Sequence, residues 1–166
     1  FMGIPPFEWG KGTTIWMLFE KLIRKAAGMG SASRLSDPDS YEHAHDFCDV
    51  IVVGSGPAGI AAAMEAAEKK LDVILVEQDS VVGGNQLSEN DFSSSKISNQ
   101  LQSLGVKTMT RTTAFGIYDN CVVGLLERVT DHLSIPDSTL PRQRFWTIRA
   151  KHIIVGSGAL ERHIAF

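Results

Sequence analysis

Cysteine is scarce in this chain. Cys48 and Cys121 are the two among 166 residues, and they form no spaced set that would make a disulfide framework or a thiolate metal site, so a reducing compartment and a cytoplasmic location are the default. With no Cys-x-x-Cys pair, disulfide-reductase chemistry has no support. Long apolar runs are missing too. None approaches the ~18 residues of a membrane-spanning helix. Positive charge is not in excess: 16 Lys and Arg face 19 Asp and Glu, a net charge of −3, which argues against nucleic acid or an anionic membrane as a partner. Glycine, by contrast, is plentiful at fifteen residues, and its placing carries most of the information.

The apolar run Val50-Ile51-Val52-Val53 shows no alternation, as expected of a strand buried on both faces in a parallel sheet. It stops at Gly54-Ser55-Gly56-Pro57-Ala58-Gly59, and Ile60-Ala61-Ala62-Ala63-Met64 then opens a helix. A second apolar run, Val73-Ile74-Leu75-Val76, ends at the acid Glu77, with Gln78 behind it. Strand, glycine turn, helix, strand and acid within ~30 residues form the context that a dinucleotide-binding Gly-x-Gly-x-x-Gly requires. Gly54 turns the chain out of the strand, and Gly56 leaves room for a pyrophosphate to reach the backbone. Pro57 suits the first helical position, where its missing N–H is no loss. Ala58 and Gly59 follow at the amide-rich helix start, and Gly59 with the alanines lets the helix lie close on the sheet. Glu77 is expected to accept two ribose hydroxyl hydrogen bonds. Its charge disfavours a 2′-phosphate, and hence NADP, against NAD or FAD. The bland alternative is a glycine turn that merely joins a strand to a helix.

The remaining texture frames this unit. Phe1 to Gly12 has no clear period. Thr13 to Ala27 reads as a helix, with Ile15, Leu18, Phe19, Leu22, Ile23 and Ala26 on one face and Lys21, Arg24 and Lys25 on the other, ended by Gly28 and Gly30. The reading of that helix as packed on its own protein is favoured over membrane-surface or partner docking. Ser31 to Asp46 reads as a linker. Strand one is expected over 48–53, its helix over 57–70 and strand two over 72–76. A loop should follow at Gly83-Gly84-Asn85-Gln86, then a helix over Ser93–Ser103 and a short strand over Val106–Met109. Thr112–Tyr118, Val122–Val129 and Arg144–Arg149 read as an inserted three-stranded antiparallel meander. His152–Val155 is a last strand running into Gly156-Ser157-Gly158. The expected fold class is therefore α/β, a Rossmann-like parallel sheet with an inserted meander. The expected division is residues 1–46 as N-terminal helix and linker and 47–166 as part of a dinucleotide-binding domain. The chain reads as a fragment of a longer protein, inactive and poorly soluble alone, with helices needed over both sheet faces and with Trp16, Phe19 and Leu22 exposed unless covered.

The architecture resembles the two-dinucleotide-binding flavoprotein fold of pyridine nucleotide-disulfide oxidoreductases, on Gly54–Gly59, Glu77, Gly83-Gly84, the meander, and Val155-Gly156-Ser157-Gly158. A closer resemblance is to the alpha subunits of heterotetrameric sarcosine oxidases. It rests on Leu22 to Gly30, Asp37 to His45, Cys48-Asp49-Val50, Arg111 to Asp119, Leu126 to Leu133 and Pro141 to Arg144. That resemblance implies oxidative demethylation of sarcosine to glycine, with the amine oxidised at FAD on a beta subunit and FMN near the alpha–beta interface. It also implies gamma and delta partners and NAD, or FAD, in the present site. Gly54, Gly56, Pro57, Ala58, Gly59, Glu77, Gln78, Gly83, Gly84, Gly156 and Gly158 are the expected cofactor contacts, with Ala114 lending backbone groups to the adenine. A self-contained FAD-dependent oxidoreductase and a non-catalytic scaffold with a structural nucleotide are the alternatives.

Other constellations carry less. His43, His45 and Cys48 would need a fourth ligand and a gathering turn to hold a metal, and Cys48 opens a strand. Ser55 and Ser157 have no placed Asp/His pair to activate them as nucleophiles. Arg162 and His163 read as a surface pair after the last glycine turn. No residue is assigned a catalytic role.

Overall fold

The computed structural model describes residues 19–20, 22–28, 35–88, 91–135, 137 and 139–158. The expectations for Phe1 to Gly12, Trp16, Arg162 and His163 lie outside the described residues. The chain divides into two compact units, Phe1–Pro38 and Asp39–Phe166. In the first, residues 19–20 and 22–26 are helical. Arg24 pairs with Glu20 one turn back at 2.7 Å, and the turn after the helix has Gly28 at φ +65°. Phe19, Leu22 and Ile23 are all exposed.

Among its described residues the second unit is a six-stranded mixed sheet with two α-helices. Strands β1 (Tyr41–Val53), β2 (Val73–Val76), β3 (Lys107–Met109), β4 (Thr112–Tyr118), β5 (Val122–Arg128) and β6 (Gln143–Val155) lie in the order β3-β2-β1-β6-β5-β4. The first four in that order run parallel, and β6-β5-β4 are antiparallel. Helix α1 (Pro57–Glu68) joins β1 to β2, and α2 (Ser94–Ser103) precedes β3. This is the α/β class with a meander that the sequence predicts. Register also follows the apolar runs, with Val50 to Val53 beside Val73 to Val76.

Two expectations need correction. The linker expected to reach Asp46 ends sooner, because Tyr41 to Phe47 already belongs to β1 and pairs with Gln143 to Arg149. Its polar composition hides a period of two: Tyr41, His43, His45 and Phe47 are exposed, while Ala44 and Asp46 are half-buried between them. Glu42 reaches across to Arg144 at 2.7 Å. For the same reason Arg144–Arg149 and His152–Val155 are one strand. β6 is at once the last strand of the meander and the inner neighbour of β1.

The core has two layers. On one face of the sheet Val50, Val52, Val73 and Leu75 pack with Ala63, Ala66 and Ala67 of α1 and Leu101 of α2. The alanines let α1 sit close, as its small side chains suggest. On the other face Ile51, Ile74 and Val76 meet Val123 and Leu125 of β5, Ile148 and Ala150. The sequence calls for helices over both faces. Among the described residues the second face is covered instead by the meander, which returns to β2 through hydrogen bonds from Arg111 N–H to the Asp79 carbonyl and from Thr112 N–H to the Glu77 carbonyl, each 2.8 Å.

Cys48 lies in this second layer, and burial, followed by the charges of Asp72, Asp46 and Asp49, pushes its thiol up to about 11. Cys121 is exposed. Alkylation of the native protein at mildly alkaline pH should therefore modify Cys121 well before Cys48, read by peptide mass mapping. Unfolding should remove the difference. A thiol that ionises only at about 11 when folded and near ~8.5 when unfolded also makes stability fall as pH rises through that window, because the unfolded chain releases the proton first.

Candidate functional site

The site grows from the end of β1. Gly54 N–H continues the strand pairing onto the Val76 carbonyl at 2.8 Å. The chain then swings to φ +98° at Gly54, where a Cβ would stand 2.5 Å from the Gly156 carbonyl oxygen. At Gly59 a Cβ would meet the Gly54 carbonyl oxygen at 1.9 Å. Both glycines are demanded by the protein's own packing. Gly56 is different. It caps α1 with φ −69° and ψ −178°, angles open to any residue, and nothing among the described residues lies within 4 Å of where its Cβ would be. Among the described residues the space in front of Gly56 is therefore open. Pro57 takes the first helical position, and no side chain caps the helix. The first intrahelical bond is Ile60 N–H to the Gly56 carbonyl at 2.9 Å. This leaves the Ala58 and Gly59 amides outside the intrahelical ladder, at the positive end of the helix dipole.

Two further glycine turns close on the same place. Gly83 N–H donates to the Ser55 carbonyl at 3.0 Å and to Ser55 Oγ at 3.2 Å. A Cβ on Gly84 would lie 3.0 Å from Gly56 Cα. Gly156 N–H donates to the Val53 carbonyl at 2.8 Å, and a Cβ on it would come within 3.4 Å of Gly59 N. Gly158, at φ +77°, follows with open space around it. The structure thus brings Gly54 to Gly59, Gly83-Gly84 and the turn from Gly156 together. Gln78 is exposed beyond β2, its carbonyl accepting from Arg128 Nη2 at 2.7 Å. Ala114 is on β4 opposite Leu125, against the second core layer. Its link to this end of the sheet is Thr112, two residues earlier, bonded to the Glu77 carbonyl.

Glu77 is 7% exposed and Ser55 fully buried. Glu77 Oε2 accepts from Ser55 N–H at 2.9 Å and from the Ser55 hydroxyl, and Oε1 accepts from Asp79 N–H at 2.9 Å. A carboxylate has about four acceptor positions. Three of these are taken inside the protein, and the remaining one is on Oε1. Sequence reasoning weighed Ser55 as a nucleophile and missed it as the tie between the first glycine turn, the acid and the second glycine turn. The signal was available: a small hydroxyl residue flanked by two glycines can turn inward while the glycines give up the outer surface. Arg128, which holds the Gln78 carbonyl, was also missed, being distant in sequence.

Chemically, the arrangement offers uncapped helix amides for a pyrophosphate, glycine surfaces that admit it, and a buried carboxylate for a ribose hydroxyl. Such an arrangement can accommodate an anionic nucleotide. Residues 49–144 match the family described as FAD dependent oxidoreductase. The chain belongs to that family. Among individual proteins similar to this chain, the sarcosine oxidase subunit alpha of Rhizobium meliloti (strain 1021) is 43% identical over 159 residues, 90% of this chain and 16% of that protein. The subunit of the same name from Corynebacterium sp. (strain P-1) is 35% identical over 84% of this chain and 16% of its own length. The chain therefore spans about a sixth of these curated relatives. Among solved structures, L-proline dehydrogenase from P. horikoshii shares the fold, with a TM-score of 0.55 and 24% identity over 74% of this chain and 25% of that one.

The glycines make separable predictions. Gly56→Ala and Gly56→Val should fold, with melting temperatures near wild type, yet lose nucleotide binding by about tenfold or more, because the added carbon enters the pyrophosphate's space. Gly59→Ala should instead fail to fold or melt far lower, since its Cβ meets backbone. Calorimetric titration and thermal melts on the same preparations distinguish the two.

Proposed function

We propose that this unit is the adenine-dinucleotide site of a sarcosine oxidase alpha subunit. It would serve a cytoplasmic complex with beta, gamma and delta subunits in which sarcosine is oxidatively demethylated to glycine. The observation that carries the reading is the extent of the similarity. At 43% identity over 90% of the chain, it continues on both sides of the glycine unit, where a generic nucleotide turn would not. The site supports a binding role. Its two buried polar side chains, Ser55 and Glu77, are bonded to one another, so the amine chemistry is assigned to a partner subunit.

The nucleotide is assigned as NAD, with FMN bound elsewhere in the complex. The Ala58 and Gly59 amides would take the pyrophosphate, Glu77 Oε1 a ribose hydroxyl, and Gly83-Gly84 and Gly156 to Gly158 would flank the bound molecule. Bound NAD would supply hydride-accepting chemistry. A second reading, FAD in the same site, is favoured by the family's description, and the ADP moiety common to both cofactors would make the same contacts.

Cofactor released from the full-length chain, purified with its partner subunits and separated by chromatography, should include NAD traceable to this chain, and the complex should turn over sarcosine. FAD on this chain in place of NAD would support the second reading, and a complex inert to sarcosine would contradict the assignment. Glu77→Ala should weaken nucleotide binding by about tenfold or more, the loss of one charge-assisted hydrogen bond.

A further inference from the structure

We propose that Ser55 is a positioning residue that selects the nucleotide: by fixing the Glu77 carboxylate it makes the site refuse an adenosine ribose that carries a 2′-phosphate. The inference rests on the dinucleotide reading above and concerns which nucleotides that site admits. Three observations converge on it. Ser55 is fully buried and gives both its N–H and its hydroxyl to Glu77 Oε2, so that oxygen is saturated and the carboxylate plane is locked. Asp79 N–H at 2.9 Å holds Oε1 from the other side, leaving one acceptor position for a ribose hydroxyl. Arg128 Nη2 donates to the carbonyl of Gln78, the residue after Glu77, at 2.7 Å.

These groups pull in opposite directions. A guanidinium attracts a 2′-phosphate, and a fixed carboxylate repels one. The carboxylate prevails only while it cannot rotate. Asp79 N–H and Ser55 N–H are backbone donors and survive any side-chain change at position 55. The hydroxyl is the one donor that sequence can remove. Without it Glu77 Oε2 keeps a single partner, the side chain can swing toward solvent, and the Arg128 guanidinium is left to attract the phosphate. The second glycine turn should survive the change, because Gly83 N–H also bonds the Ser55 carbonyl at 3.0 Å.

The test titrates full-length, nucleotide-stripped protein in its complex with ADP-ribose and with 2′-phospho-ADP-ribose. Both probes carry the adenosine and pyrophosphate that NAD and FAD share. Wild type should prefer the unphosphorylated probe. Ser55→Ala should weaken ADP-ribose binding about tenfold and narrow the preference by a similar factor. Ser55→Thr, which keeps the hydroxyl, should restore the preference. In a Glu77→Gln background Ser55→Ala should change either affinity by less than about twofold, since the residue acts through the carboxylate. If Ser55→Ala does not melt cooperatively, Ser55→Cys, similar in size but a weak donor, reads the same ratio. An unchanged preference in Ser55→Ala, or an equal loss in the Glu77→Gln background, overturns the inference alone. Wild-type protein that binds neither probe overturns the dinucleotide reading and this inference with it.

Discussion

A methyl group at position 59 would sit 1.9 Å from the carbonyl oxygen of Gly54. That one steric limit sets the geometry of this end of the sheet. Helix α1 starts almost on top of the end of β1, so its unpaired amides face the point where the strands stop. The same tightness recurs around it. Gly84 approaches Gly56, and Gly54 approaches the Gly156 turn, each closely enough that a Cβ would touch backbone at 3.0 Å or less. Three backbone segments far apart in sequence can converge only because glycine occupies the points of approach.

Convergence alone would leave a buried carboxylate in trouble. An ionised Glu77 at 7% exposure needs partners, or its burial costs more than the fold can spare. Ser55 and the Asp79 amide supply them. Because Ser55 also accepts from Gly83 N–H, the carboxylate, the first glycine turn and the second are one hydrogen-bonded unit. The charge that would meet a ribose is thereby placed before any ligand arrives, which lowers the ordering cost of binding. The meander contributes by pinning the residues around the acid, through Thr112 and Arg111 on the backbone and Arg128 on Gln78.

Much of this is legible in the sequence, and the failures have physical causes. Val50 to Val53, the Gly54–Gly59 turn and Val73 to Glu77 announce themselves because strand, turn and helix are local and their signals overlap within one unit. Helix α2 and strand β4 are read almost to the residue, since Ser93 and Thr112 stand at clear changes of pattern. Tyr41 to Asp46 is misjudged because this half of β1 is held by cross-strand pairing with β6 and by Glu42–Arg144, partners about a hundred residues away that no local period reveals. Arg144 to Val155 is split for a related reason: its two halves differ in surroundings but not in backbone. The second core layer is misread because buried strands say only that something covers them, and a meander satisfies that as well as a helix. At the site, the glycines are visible as a motif, but which are demanded by packing and which leave room for a ligand is visible only from their neighbours. Ser55 escapes because the partners that give it its role, Glu77 and Gly83, lie more than twenty residues away.

The central claim is that the three glycine turns and Glu77 form a single adenine-dinucleotide site. A crystal structure of the full-length protein with its bound nucleotide tests this most directly. The account predicts the pyrophosphate against the Ala58 and Gly59 amides in front of Gly56, with one ribose hydroxyl on Glu77 Oε1 at ordinary hydrogen-bond distance, about 2.6–2.9 Å. A nucleotide bound elsewhere on the chain, or one whose ribose turns away from Glu77 while another group fills the space at Gly56, would contradict it.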